Sequence, residues 1–190
     1  MSAGEKVRLF VAARIPDDRL ELLDAALEPL RAKLINARWV PVDNQHLTLK
    51  FLGWAPADLL EGVASTCAMV AAGRPKGRLA LTDLGAFPSK TRIRVLWVGV
   101  DDPSGVLSAV AADLDRAFEP LGFPSEGRAY TPHLTVARFK LPIPMKSGFP
   151  SLAASIAPFE IDELTLFRSH LTAKGARYEA IGAFPLPSGA

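Results

Sequence analysis

The chain has 190 residues, 49% hydrophobic and 22% charged, enough for one substantial domain or two small lobes and far from the composition of a disordered segment. A net charge of +2 and a pI near 8.8 are too mild for a protein that coats long nucleic acid by counterion release, yet compatible with holding one phosphate or a nucleic-acid end. The N-terminal apolar run, Leu9 to Ala13, is broken by Arg14, so neither a signal peptide nor a membrane span is expected, and the lone Cys67 leaves no internal disulfide; both point to the cytoplasm.

In chain order, residues 8–14 form an apolar run suited to a buried strand. Asp17, after Pro16, is placed to cap a helix with Leu20, Leu23, Leu27 and Leu30 on one stripe. An extended segment, a turn around Pro41 to Asn44 and a second strand follow, the strand carrying His46-Leu47-Thr48-Leu49. Residues 57–72 have helical spacing through Leu59, Leu60, Val63, Cys67 and Val70, where the cysteine reads as a small buried filler. Residues 79–87 alternate as a strand.

The order then repeats. Residues 95–101 are a second apolar strand, and Ser104 is placed to cap a helix through Val106, Leu107, Val110, Leu114, Phe118 and Leu121. Next comes His133-Leu134-Thr135-Val136, and residues 159–167 match 79–87 apolar for apolar, Phe167 falling at the place of Phe87. His46 and His133 are 87 residues apart, and the first strands, starting at Arg8 and Val95, share that offset. Two copies at so long a period favour a pseudo-twofold pair over a solenoid. The expected fold is therefore α+β: a single bilobal domain over 1–190, with repeats near 7–90 and 94–186, each a small antiparallel sheet with helices, facing each other across a central groove. The basic clusters Arg74, Lys76, Arg78 and Lys90, Arg92, Arg94 read as solvated rim.

On a strand, His46 and Thr48 emerge on one face while Leu47 and Leu49 enter the core, and the second copy does the same with His133 and Thr135. Facing lobes would bring two imidazoles and two hydroxyls into one small volume. Paired imidazoles can divide the work of general base and general acid, and hydroxyls can donate to the oxygens of a phosphate. Three histidines could instead ligate zinc, but no Asp, Glu or Cys lies within the frames, and Thr is a poor zinc ligand. His170, also followed by Leu and Thr, lacks the aliphatic fourth residue and falls outside the 87-residue offset, so it reads as a surface or supporting residue.

The doubled His-x-Thr-x motif resembles the two-histidine phosphoesterase superfamily, in particular the bacterial and archaeal RNA 2′,3′-cyclic phosphodiesterases, also called 2′-5′ RNA ligases. The likeness extends to "RLFVA", "RWVPVDNQHLTLKFLG", "GAFPS", "RVLWVGV", "PHLTVARF" and the closing "FPLP". It implies a bilobal α+β fold with neither metal nor cofactor, no membrane and no obligate protein partner. The implied reaction is hydrolysis of a 2′,3′-cyclic phosphate at an RNA 3′ end to a 2′-phosphomonoester. By the same resemblance His46 is the proton donor and His133 the proton acceptor, roles that two near-symmetric copies do not assign by themselves, while Thr48 and Thr135 hold phosphate oxygens. Strict alternation puts Arg138 on the strand face opposite His133; the resemblance makes it a phosphate or nucleotide contact. Tyr130 either stacks on a base or is a half-buried strand residue. Residues 141–150, with three prolines, are a lid over the groove or a connector. Reverse 2′-5′ ligation, small cyclic nucleotides such as ADP-ribose cyclic phosphate, 2′-5′-linked oligonucleotides, and a non-catalytic module that binds RNA ends are the alternatives.

Overall fold

The computed structural model describes residues 5–144, 151–152, 155–173 and 175–189. Among these residues three α-helices, α1 (Asp17–Lys33), α2 (Leu60–Ala72) and α3 (Val106–Phe118), accompany nine strands. The strands are β1 (Lys6–Ala13), β2 (Arg38–Trp39), β3 (Leu47–Pro56), β4 (Gly77–Ser89), β5 (Arg92–Asp101), β6 (His133–Ile143), β7 (Phe159–Ile161), β8 (Glu163–Thr172) and β9 (Gly175–Pro185). Residues 141–143 of the expected loop thus prolong β6, and 145–150 lie outside the described residues.

The fold is α+β, as expected, but the two separate sheets are replaced by one curled antiparallel sheet in the order β7-β4-β5-β6-β3-β1-β8-β9, with β2 beside β6. The reason lies in strand edges. β3 and β6 would each expose an unpaired rim, and joining them through Leu47 and Leu134 shortens both. Nor do the repeats near 7–90 and 94–186 coincide with the two ends of the sheet: β4, from the first repeat, pairs with β5 of the second, and β8, from the second, pairs with β1 of the first.

The apolar face of the sheet carries Val7, Leu9 and Val11 of β1, Leu47 and Leu49 of β3, and Leu134 and Val136 of β6, all buried in one core with the helices. Leu20, Leu23, Leu27 and Leu30 of α1 form the expected buried stripe. Cys67 of α2 is fully buried, and burial pushes its thiol up to about 12, which leaves it an inert filler. The capping expectations shift by one or two residues. Asp17 opens the first turn of α1 behind Pro16, where a carboxylate suits the helix dipole. Asp102 rather than Ser104 caps α3, its carboxylate accepting from the N–H groups of Val106 at 3.0 Å and Leu107 at 2.9 Å.

Among the described residues no helix is long and apolar enough to cross a membrane.

Candidate active site

Leu47 of β3 stands opposite Leu134 of β6 in an antiparallel bridge. His46 and Thr48 flank this single bridge on one side, and His133 and Thr135 on the other. The leucines point into the core and are fully buried; the histidines and threonines are partly buried on the other face. The two motifs therefore meet at the centre of one sheet.

Each imidazole is fixed in the same way. His46 Nδ1 donates to the carbonyl of Asn44 at 2.8 Å, and His133 Nδ1 to that of Thr131 at 2.7 Å. A carbonyl can only accept, so Nδ1 carries the proton in both rings and Nε2 is left to exchange protons with a ligand.

Aromatic rings support both histidines from the side. His46 stacks on Phe10 with centroids 4.7 Å apart, meets Tyr178 edge-on at 5.2 Å and lies 5.9 Å from Phe167. His133 meets Phe87 edge-on at 5.1 Å and Trp97 at 5.9 Å. Phe167 belongs to the second repeat and Phe87 to the first, so each histidine rests against a ring supplied by the other half of the chain. Burial among these rings lowers His46 to about 4. It lowers His133 as well; the carbonyl bonds oppose the shift in both rings, and the positive charge of Arg138 adds to it.

Arg138 lies on the groove face, against the expectation from strict alternation. Between Thr135, paired with Trp97, and Ala137, paired with Leu96, Val136 is an extra residue in β6. This β-bulge reverses the alternation, so Arg138 emerges on the side of His133 and Thr135. β3 has its own bulge at Leu49, between Thr48 and Lys50, again 87 residues earlier. There it turns Phe51 into the groove and Lys50 into the interior, where the ammonium pairs with Asp115 of α3 and donates to the Pro124 carbonyl at 2.7 Å. The flanking strands do not keep the 87-residue offset: Ala13 faces Leu47 but Val98 faces Leu134, an offset of 85.

Tyr130 does not join this group. Its ring packs on the hydrophobic core, its buried hydroxyl has no hydrogen-bond partner, and burial, with Asp102 and Glu126 nearby, raises its pKa. Of the two tyrosines it is Tyr178 that reaches the groove, and sequence reasoning missed it; its one signal, a strand partner across from Ser169 of β8, exists only in the folded chain. His170 pairs with Glu179 at 2.7 Å between β8 and β9. In the first basic cluster, Arg74 pairs with Asp113 at 2.6 Å and Lys76 with Glu160 at 3.7 Å, as rim residues do.

Two pockets share Tyr178, the ring edge-on to His46. One, of about 460 Å³, lies toward α1 and is lined by His46, Gln45 and Arg14 with the carboxylates of Asp17, Glu21 and Asp43. The other, of about 440 Å³, is lined by Arg8, Phe10, Phe51, Arg138 and Tyr178. Among the described residues no cluster of three or more His, Cys, Asp or Glu side chains is placed to hold a metal ion.

Fold and site define a class: an α+β protein whose curled antiparallel sheet presents two histidine–threonine pairs to one groove. The chain belongs to the 2′-5′ RNA ligase superfamily, whose family model matches residues 13–173. It is 30% identical to an RNA 2′,3′-cyclic phosphodiesterase of Methanothermobacter thermautotrophicus over 95% of this chain and all of that one. It is 31% identical to one of Geobacillus stearothermophilus over 93% of this chain, which spans only 56% of that longer relative. Among solved structures, a Thermus thermophilus protein superposes with a TM-score of 0.84 at 27% identity, covering 96% of this chain and 100% of the other. The Escherichia coli protein LigT, crystallised with 3′-AMP, gives 0.79 at 26% identity, covering 96% and 99%.

Proposed function

We propose that the protein hydrolyses 2′,3′-cyclic phosphates at RNA 3′ ends to 2′-phosphomonoesters by paired-histidine acid–base catalysis. The observation that carries this reading is the Leu47–Leu134 bridge, which sets the two His-x-Thr motifs about one point, each ring with Nε2 free. The relatives named RNA 2′,3′-cyclic phosphodiesterase support the substrate class, and a LigT structure holding 3′-AMP supports a nucleotide in the groove.

In the proposed step, His133 Nε2 takes a proton from water as the water oxygen bonds to phosphorus. The P–O3′ bond breaks, and O3′ takes its proton from His46 Nε2. Thr48 and Thr135 donate to the non-bridging oxygens, and Arg138 adds a positive charge beside them. Free His46 is neutral near pH 7, so the donor form depends on the substrate: the phosphate anion between the rings favours imidazolium and restores the proton that burial removed.

The test is incubation of purified protein with an oligonucleotide bearing a terminal 2′,3′-cyclic phosphate, with and without EDTA, and identification of the monoester by its mobility against 2′- and 3′-phosphate standards. A 2′-phosphate that forms at the same rate under chelation is expected. Absence of turnover, or a 3′-phosphate product, would overturn the reading.

A further inference from the structure

The groove does not end at the histidines. On β1, Arg8 and Phe10 are two residues apart and share the groove face with Ala12, which pairs with Thr48. Across from them on β3, Phe51 pairs with Phe10 and Trp54 with Arg8. Directly opposed residues of an antiparallel pair lie on the same face, so Phe10, Phe51, Arg8 and Trp54 form a track running away from the catalytic motif. Phe51 is 53% exposed and Trp54 59% exposed, large apolar rings that the fold does not use to fill its core.

The charge of the track is positive. Arg8 donates to the Ser169 hydroxyl at 3.1 Å, which fixes the guanidinium at the groove wall without neutralising it. Among the described residues Arg8 and Arg138 have no carboxylate partner, and both line the 440 Å³ pocket with Phe10, Phe51 and Tyr178. Two guanidinium groups with no counter-ion make this wall positive; with Arg138 beside the reacting phosphate, Arg8 is left for a second anion farther along the track. The pocket toward α1 sets three carboxylates, Asp17, Glu21 and Asp43, against the single cation Arg14, and so favours an anion less.

We infer that the β1–β3 face carrying Arg8, Phe51 and Trp54 binds the RNA segment immediately 5′ of the reactive end, Arg8 pairing with the first internal phosphodiester and the two rings stacking with bases. The inference rests on the reading of the groove as a site for RNA 3′ ends. An RNA with its 3′ terminus between the histidines has its whole remaining chain on one side and needs one exit, and charge selects the Arg8 side over the acidic one. Exposed rings interleaved with cations are the usual means of holding single strands without reading their sequence. The consequence is a preference for oligonucleotide ends over mononucleotide 2′,3′-cyclic phosphates.

The experiment compares kcat/KM for a cyclic-phosphate mononucleotide and a trinucleotide with the same terminal base, in wild type, Arg8→Ala and Trp54→Ala. Alongside it, binding of the 2′-phosphorylated mononucleotide and trinucleotide is titrated by tryptophan fluorescence and, for Trp54→Ala, by calorimetry. The wild type should prefer the trinucleotide by about tenfold or more, the scale of one stacked base. Each substitution should remove most of that preference while altering the mononucleotide value by less than about twofold. A wild type that treats both substrates alike, or substitutions that lower both equally, overturns the inference. If neither substrate turns over, the proposed reaction fails, and the track is then judged by binding alone: tighter binding of the trinucleotide, weakened in both variants, upholds it, and equal affinities overturn it.

Discussion

Leu47 faces Leu134 across the bridge that joins β3 to β6, and this apolar pair sits under the point where the two His-x-Thr motifs meet. Both side chains are fully buried, so the spacing of the histidines above them is anchored in the core rather than in surface loops. A site held on strands in this way keeps its geometry through substitutions at the polar face.

For this reason His46→Ala and His133→Ala should each lower kcat by about 10²- to 10⁴-fold, the usual contribution of one general acid or base. Thermal melts run beside the kinetics should show folded protein in both cases. Variants that keep wild-type turnover would leave the rings with no part in the chemistry.

Activity should depend on pH in a definite direction. Burial lowers both imidazoles in the free protein, His46 to about 4, so the protonated donor becomes scarcer as pH rises past about 4. The profile of kcat/KM should be bell-shaped, with its optimum below pH 7. The profile of kcat should lie at higher pH, because bound phosphate favours imidazolium. Steady-state kinetics between pH 4 and 9 check this; a kcat/KM that keeps climbing to pH 9 would count against His46 as donor.

Stability should carry the same signature. His46 has a lower pKa folded than its ordinary 6.5, so between pH 6.5 and 4 the unfolded chain holds a proton that the folded chain does not. Stability is then full above pH 6.5 and falls as pH drops toward 4, by roughly 3 kcal/mol at most before solvent screening. His133 acts in the same sense. Urea unfolding at pH 7.5, 5.5 and 4.5 should show this slope, and His46→Phe should flatten much of it.

Gly85 of β4 lies under the ring of Trp97, and a Cβ there would come within 2.1 Å of the indole. Gly85→Ala must therefore displace Trp97, one of the two rings beside His133. The expected outcome is a folded protein with changed near-ultraviolet dichroism and turnover reduced about tenfold or more, as misplacement of a catalytic group produces. Unchanged spectra and rates would mean that Trp97 does not position the histidine.

Lys50 is 2% exposed and pairs with Asp115. Lys50→Met leaves that carboxylate without its cation, still held by the Glu126 N–H, and frees the Pro124 carbonyl, and should cost about 2–4 kcal/mol in urea unfolding. Lys50→Met combined with Asp115→Leu should recover part of the loss, which separates the unpaired charge from lost packing.

The sequence alone determined a good deal. Hydrophobic period set the three helices and most strands, because burial of Leu20, Leu23, Leu27 and Leu30, or of Val106, Val110 and Leu114, is a local consequence of spacing. The repeated His-x-Thr frame marked His46, Thr48, His133 and Thr135 as one constellation before any strand was paired. What the tertiary structure decided were relations between distant segments. Strand pairing sent β4 and β8 across to the opposite repeat, so that Phe87 and Phe167 flank the histidine of the other half. The bulges at Leu49 and Val136 reversed the alternation beyond each threonine, bringing Phe51 and Arg138 into the groove and Lys50 into the interior. Tyr130 turned to the core and Tyr178 took the place beside His46. Period along a chain reports which face a residue prefers; partner strands and inserted residues, which depend on long-range closure of the sheet, decide what that face meets.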